Sequence, residues 1–402
     1  MKLLFDATQL SYYNDNDGHR AGVFNVALNL YNELKKMGIE IDFTCDYKRY
    51  YFLKDIKEFK QVKLLNENSI INRFIGKLLY YTQNFPIRFR YALLIICRYY
   101  DEYLYRINKK NLEQLKEYEI YFSPYTPPSK EIDSANLKRF RMIHDTIPII
   151  EGGMPKSPKD WYYRIYNTIN ENDFYVTNSE CTRNDVLKYF PFVKESYIKT
   201  TLLGANEYFS RTDEKSPIDG KYVFSLCTLG KRKNLEFSIR NFFKFIEREN
   251  IKDLKLVLGG SVWTKFKKEL DSILSQYDTS KVILAGYLRE EELAKYYSNA
   301  LMFIYPSLYE GFGLPVLEAM QCGCPVITSN VSSIPEVIGN AGIKINPQND
   351  DEMVEAMTKM YKDEFFRQLC SERSVIRAKQ FSWAKCAKEI VEFINKQNTP
   401  NT

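Results

Sequence analysis

Short apolar, β-branched and aromatic runs alternate with stretches of helical period along most of the chain, and that alternation leaves few folds open. In the first half the runs fall at Lys2–Asp6, Ile41–Cys45, Ile120–Ser123, Arg141–His144, Phe174–Thr177 and Ile198–Leu203. In the second half they fall at Tyr222–Cys227, Leu254–Leu258, Val282–Ala285, Met302–Tyr305, Val326–Thr328 and Gly342–Ile345. A helix is expected over Phe24–Met37, where Val26, Leu30, Tyr31 and Leu34 recur at helical spacing, and others are expected to begin near Leu235, Thr264, Glu290, Leu314 and Asp350. Strand and helix in strict alternation predict an α/β protein with parallel sheets. Glu207–Gly220 is polar, contains Pro217 and has no period, so it reads as a linker. The economical architecture is two doubly wound, Rossmann-like domains over 1–206 and 221–381 facing a central cleft, with ligands beyond the carboxyl ends of the strands.

Length agrees with two domains: 402 residues exceed one ordinary core. A composition 45% apolar and 27% charged excludes disorder over most of the chain. Asp6 interrupts the opening Met1-Lys2-Leu3-Leu4-Phe5 before it forms the apolar centre of a signal peptide. No apolar run approaches the ~18 residues of a membrane-spanning helix. The expected location is therefore the cytoplasm, with the eight cysteines reduced. They form no C-x-x-C pair and only two histidines accompany them, so no structural zinc site is expected.

Residues 71–110 hold eight Lys/Arg against two Asp/Glu, a surplus equal to the net +6 of the whole chain. Ten Phe or Tyr are interleaved with them, alongside Ala92-Leu93-Leu94-Ile95-Ile96. Such a segment suits the surface of an anionic membrane, on the inner face of the cell membrane; the plainer reading is a pair of core helices with solvated basic faces. Nucleic acid is not an expected partner, because no recognised module accompanies the patch.

The most specific local string is Tyr305-Pro306-Ser307-Leu308-Tyr309-Glu310-Gly311-Phe312-Gly313-Leu314-Pro315-Val316-Leu317-Glu318-Ala319-Met320. It reads as a strand end, a loop with Glu310 and two glycines, and a helix from Leu314 with Pro315 in its first turn. A helix start of this kind offers unpaired N–H groups and a positive dipole end to a phosphate or oxyanion. Carboxylates only accept hydrogen bonds, which suits sugar and ribose hydroxyls. Upstream, Lys231-Arg232-Lys233-Asn234 follows a strand and opens a helix. Taken alone, three basic residues in such a loop read as solvated.

Glu310 and Glu318 within that string resemble the signature of the retaining GT-B glycosyltransferases of family 4. The likeness continues through Gly323-Cys324-Pro325-Val326 and Ser332-Ser333-Ile334-Pro335-Glu336-Val337-Ile338-Gly339, covering most of the second half. It implies that Glu310 contacts donor-sugar hydroxyls, that Glu318 holds the ribose, and that the backbone of Gly311, Phe312, Gly313 and Leu314 lines the sugar and diphosphate. Arg232 and Lys233 resemble the family's phosphate-binding element; the arginine that some members carry upstream is replaced by Cys227-Thr228. Ala285-Gly286-Tyr287-Leu288 resembles the base-binding turn.

In the first half, the resemblance makes His144, in His144-Asp145-Thr146-Ile147-Pro148, a donor-sugar contact near the reacting carbon, where a lone histidine is otherwise a structural residue. It places Gly22 at a helix start beside the reaction centre, matches Asn178-Ser179-Glu180 to the next element, and brings the C-terminal helix over 382–402 back onto the first domain. Asp15-Asn16-Asp17 fits the D-x-D pattern of metal-dependent transferases of another fold and is read as a solvated turn. No metal or cofactor is expected.

The implied function is a retaining, metal-independent hexosyltransferase with His144, Lys233 and Glu310 as its catalytic residues. It takes a nucleotide sugar, GDP-mannose before UDP-hexoses or dTDP-deoxyhexoses, and a glycan acceptor, lipid-linked, in bacterial surface polysaccharide synthesis. The rivals are a phosphorylase or nucleotide-sugar epimerase on the same architecture, and a non-catalytic subunit that binds nucleotide or glycan.

Overall fold

The computed structural model describes residues 1–13, 22–65, 70–82, 111–157, 160–226, 231–260 and 264–398. Asp15-Asn16-Asp17, the 83–110 part of the basic segment and Cys227-Thr228 lie outside the described residues. The chain divides into two compact units. The first holds residues 1–178, 183–201 and 383–402; the second holds 179–182 and 202–382.

The first unit is built on a parallel six-stranded sheet of β1 (Lys2–Asp6), β2 (Glu40–Thr44), β3 (Ile120–Ser123), β4 (Lys138–Ile143), β5 (Phe174–Thr177) and β6 (Ile198–Thr200), in the order β2-β1-β3-β4-β5-β6. Every residue of β3 and β5 is buried, as strands covered on both faces require. Phe5 sits in register with Phe43 and Phe122, its ring 6.0 and 5.8 Å from theirs. The helix Gly22–Lys36 buries Val26, Ala27, Leu30, Tyr31 and Leu34 at helical spacing.

β4 begins three residues before the apolar run, at Lys138. Its arginines are accommodated by Asp173, which accepts from Arg139 Nε at 2.5 Å and from Arg141 Nη1 at 3.4 Å. His144 consequently falls just past the strand.

The helix Trp383–Asn398 belongs to the first unit. Trp383, Cys386, Ala387, Ile390, Val391, Phe393 and Ile394 form its buried stripe. Phe393 meets Phe140 edge-on at 5.7 Å and Phe174 at 6.2 Å. Lys138 Nζ donates to the Gln397 carbonyl at 2.8 Å.

The second unit repeats the plan with β7 (Lys221–Leu226), β8 (Leu254–Gly259), β9 (Val282–Gly286), β10 (Met302–Tyr305), β11 (Val326–Ser329) and β12 (Ile343–Ile345), ordered β12-β11-β10-β7-β8-β9 and parallel throughout. Phe242 and Phe245 of the helix Leu235–Arg248 share one core with Met353, Met357 and Met360 of Asp350–Lys362. Residues 207–220, expected as a linker, are counted with this unit. Lys295 pairs with Glu214 at 2.5 Å, and Thr212 N–H donates to Ser298 Oγ at 3.2 Å.

Strand order reverses at β7: the chain proceeds to β8 and β9 on one side, then crosses to β10 on the other. In doubly wound sheets the ligand crevice lies outside the carboxyl ends at such a switch point. Here those ends lead into Lys231–Asn234 and Pro306–Leu314. No described helix is long and apolar enough to cross a membrane.

Candidate active site

Glu310 is 8% exposed, and its Oε1 is the focus of the loop after β10. Lys233 Nζ and Arg232 Nη1 each lie 2.7 Å from that oxygen. Tyr305 OH donates to it at 2.9 Å and Ser307 Oγ at 2.6 Å. Burial by itself would raise this carboxyl. The charges of Lys233 and Arg232, with the hydrogen bonds from Lys233 and Ser307, outweigh it and hold the group at about 2. At neutral pH Glu310 is therefore an ionised acceptor beside two cations, suited to hydroxyl donors on one side and phosphate oxygens on the other.

The cations are placed by their own turn. Asn234 adopts a left-handed conformation, φ 58°, before the helix Leu235–Arg248, and its amide donates to the Pro306 carbonyl at 3.1 Å and the Pro347 carbonyl at 2.7 Å. Leu308 N–H donates to the Arg232 carbonyl at 2.8 Å, and Arg232 Nη1 to the Tyr309 carbonyl at 2.5 Å. Lys233 also bonds Tyr305 OH and lies 4.9 Å from that ring's centre.

Gly313 turns the loop into the helix Leu314–Gln321 with φ 108°, a backbone that L side chains rarely adopt. A Cβ there would stand 2.6 Å from Ile334 Cδ1. Ser332 Oγ accepts from Glu310 N–H at 3.0 Å, while Ser333 Oγ lies 2.9 Å from the carbonyls of Glu310 and Phe312. Phe312 is buried against Phe381, their ring centres 6.1 Å apart.

Glu318, one turn inside that helix, accepts from Tyr297 OH at 3.2 Å. Burial pushes its carboxyl up to about 8, the Glu290 carboxylate adds to the rise, and the Tyr297 hydroxyl opposes it. Glu290 itself takes a hydrogen bond from Tyr208 OH. Tyr287 follows β9 and is 57% exposed.

The residues read from the sequence thus fall in two groups. Arg232, Lys233, Glu310, Gly311, Phe312, Gly313, Leu314 and Glu318 converge on the switch point of the second sheet, with Tyr287 at the carboxyl end of a further strand. His144 and Gly22 belong to the first unit. His144 Nε2 lies 2.6 Å from the Pro124 carbonyl with its ring 5.7 Å from Tyr125, and burial lowers its pKa against that bond. Gly22 is the exposed first residue of its helix. Sequence reasoning missed Tyr305, Ser307, Ser332 and Ser333. A tyrosine closing an otherwise apolar strand, followed two residues later by serine, was the available signal for the first pair. Among the described residues no group of three or more His, Cys, Asp or Glu is placed to hold a metal ion.

Residues 208–377 match the family of glycosyl transferases group 1. The O-antigen chain mannosyltransferase B of Escherichia coli is 29% identical over 237 residues, 56% of this chain, and the match spans 61% of that relative's length. Sucrose-phosphate synthase from Thermosynechococcus elongatus superimposes with a TM-score of 0.71 at 16% identity, covering 99% of both chains. Anabaena HepE, solved in complex with UDP-glucose, superimposes with a TM-score of 0.68 at 14% identity, covering 98% of this chain and 100% of that one. The fold is the two-domain α/β fold of the GT-B glycosyltransferases.

Proposed function

We propose that this chain, whose residues 208–377 form a glycosyl transferases group 1 domain, is a retaining, metal-independent mannosyltransferase of the family-4 type. It takes GDP-mannose as donor and a lipid-linked glycan as acceptor in bacterial surface polysaccharide synthesis. The observation that carries this reading is the Glu310 carboxylate, ionised between Arg232 and Lys233 at the switch point; the O-antigen mannosyltransferase relative supports it.

In this reading the second unit binds the donor and the first binds the acceptor. Glu310 accepts from sugar hydroxyls, Glu318 from the ribose, and Tyr287 lies at the base. Arg232, Lys233 and the start of the helix Leu314–Gln321 take the diphosphate, and their interaction strengthens as the bond from the anomeric carbon to the phosphate oxygen breaks. The acceptor oxygen bonds that carbon on the face the phosphate leaves, and the acceptor's proton passes to the departing phosphate oxygen. The roles expected of His144 and Gly22, both in the first unit, belong to the same proposal.

The test is incubation with GDP-mannose and an alkyl mannoside in EDTA, reading GDP release and the product's anomeric configuration by NMR. The expected result is an α-linked product, with turnover reduced ~10²-fold in Glu310→Ala. Release of GDP without glycoside, or an inverted product, overturns the reading.

A peripheral membrane contact on the cytoplasmic face belongs to the same proposal. In the helix Ile70–Tyr81, Arg73, Phe74, Lys77 and Tyr81 are exposed, Phe74 and Tyr81 each at 66%, giving a basic aromatic face. Flotation with phosphatidylglycerol vesicles is the expected outcome, and it weakens in Arg73→Gln/Lys77→Gln. Equal flotation of the variant overturns the contact.

A further inference from the structure

Two motifs of unassigned role converge on the loop that carries Glu310. Glu336 lies in the short helix Ile334–Ile338. Its carboxylate accepts from the backbone N–H groups of Glu180 and Cys181, Oε2 at 2.8 Å and Oε1 at 2.9 Å. Those two residues open the helix Glu180–Tyr189, where N–H groups lack partners within the helix. The stretch 179–182 that Glu336 grips bonds in turn to the loop: Ser179 Oγ donates to the Gly311 carbonyl at 2.7 Å and Thr182 Oγ1 to the same oxygen at 3.2 Å. Cys181 Sγ lies 3.2 Å from Tyr309 OH. All these residues belong to the second unit.

Every link is short, and the links to the Gly311 carbonyl are buried. Ser179 is fully buried and Thr182 is 1% exposed. The carbonyl they hold belongs to the residue directly after Glu310, so displacement of 179–182 is transmitted to Glu310 through one peptide unit. Glu310 is otherwise fixed by the two cations, Tyr305 and Ser307 on its carboxylate, by Ser332 on its N–H and by Ser333 at its carbonyl. A shift of about 1 Å at a group that orients a substrate costs ~10²-fold in rate.

We propose that Glu336 is a positioning residue for the sugar end of the donor site: it anchors 179–182, which fixes the Gly311 carbonyl and with it the setting of Glu310. The inference rests on the transferase reading above. It assigns Glu336 chiefly to the sugar end, because Lys233 is also set by Tyr305 and by the Asn234 turn, and Glu318 is met by Tyr297.

The test compares Glu336→Gln with the parent chain. A glutamine turns an NH2 toward one of the two N–H donors and loses that acceptor. Turnover is expected to fall at least ~10-fold, with GDP affinity by calorimetry within a factor of two and the melting temperature nearly unchanged. Ser179→Ala/Thr182→Val is expected to fall by a like factor, and combining it with Glu336→Gln adds little, since all act along one path. Unchanged turnover in a parent chain that transfers mannose overturns the inference and leaves the transferase reading intact. Parallel losses of turnover, GDP affinity and melting temperature also overturn it, as they indicate general loosening.

Absence of transfer by the parent overturns the transferase reading instead. Hydrogen exchange then still decides the structural link. Amides of 307–313 are expected to exchange at least tenfold faster in Glu336→Gln, and equal exchange overturns the link.

Discussion

The Lys233 ammonium meets Glu310 Oε1 at 2.7 Å across 77 positions of sequence, on an oxygen that Arg232, Tyr305 and Ser307 also address. A buried carboxylate so surrounded is ionised because of its partners, and removing one exposes the cost of burial. Lys233→Ala is therefore expected to destabilise the protein as well as to impair turnover. Glu310 in the folded state titrates well below its ordinary value of 4.5. Its contribution is full above the unfolded value and is lost as pH falls from about 4.5 toward about 2. The gap in melting temperature between parent and Lys233→Ala is expected to be widest near pH 6 and to close over that window. A gap independent of pH would contradict the coupling.

Glu318 has the opposite sign. Its folded value is raised to about 8 from 4.5, so the folded state favours the protonated form, and the penalty for ionising it grows as pH rises between those values. Glu318→Gln is expected to match the parent below pH 5 and to melt higher at pH 8 to 9. If the carboxylate must ionise to accept two ribose hydroxyls, GDP binding at pH 7 releases close to one proton. Calorimetry in buffers of different ionisation enthalpy measures that number, which is expected to drop to near zero in Glu318→Gln.

Gly313 separates backbone strain from crowding. Alanine there keeps the left-handed φ of 108° and adds a Cβ 2.6 Å from Ile334 Cδ1. Gly313→Ala is expected to cost about 1–3 kcal/mol in denaturant unfolding. Ile334→Val removes the opposing methyl without changing φ, so the double variant is expected to recover part of the loss. Full recovery would show that crowding alone forbids a side chain.

In the first unit, Phe393 anchors the last helix between Phe140 and Phe174. Phe393→Ala is expected to cost about 3–5 kcal/mol, read as a lower urea midpoint. Faster hydrogen exchange at β4 and β5 is expected to accompany it.

The strands were readable because a parallel sheet covered on both faces demands unbroken apolar runs, as in Met302–Tyr305 and Val326–Ser329. Glu310, Glu318, Arg232 and Lys233 were readable because they lie in short contiguous strings beside strand ends. The helix Glu364–Ala378 was not. Its buried face is Cys370, Ser371, Ser374 and Ala378, small residues that hydropathy overlooks, and Ser371 Oγ donates to the Gly323 carbonyl at 2.6 Å. The start of β4 escaped for a related reason, since its arginines depend on Asp173, thirty-two positions beyond Arg141. Ser332 reaches Glu310 across 22 positions and Glu336 reaches Glu180 across 156. No local pattern encodes such pairings. The high value at Glu318 likewise arises from burial and from Glu290, which only the folded chain brings near.

The helix Trp383–Asn398 also bears on how the protein is made. Phe140 and Phe174 belong to the part of the first unit that precedes the second, yet the phenylalanine that seals them, Phe393, is made 219 positions after Phe174. The sheet β7–β12 is wholly synthesised before that ring arrives. Until then Phe140 and Phe174 wait uncovered on the nascent chain, an apolar surface of the kind that chaperones attend.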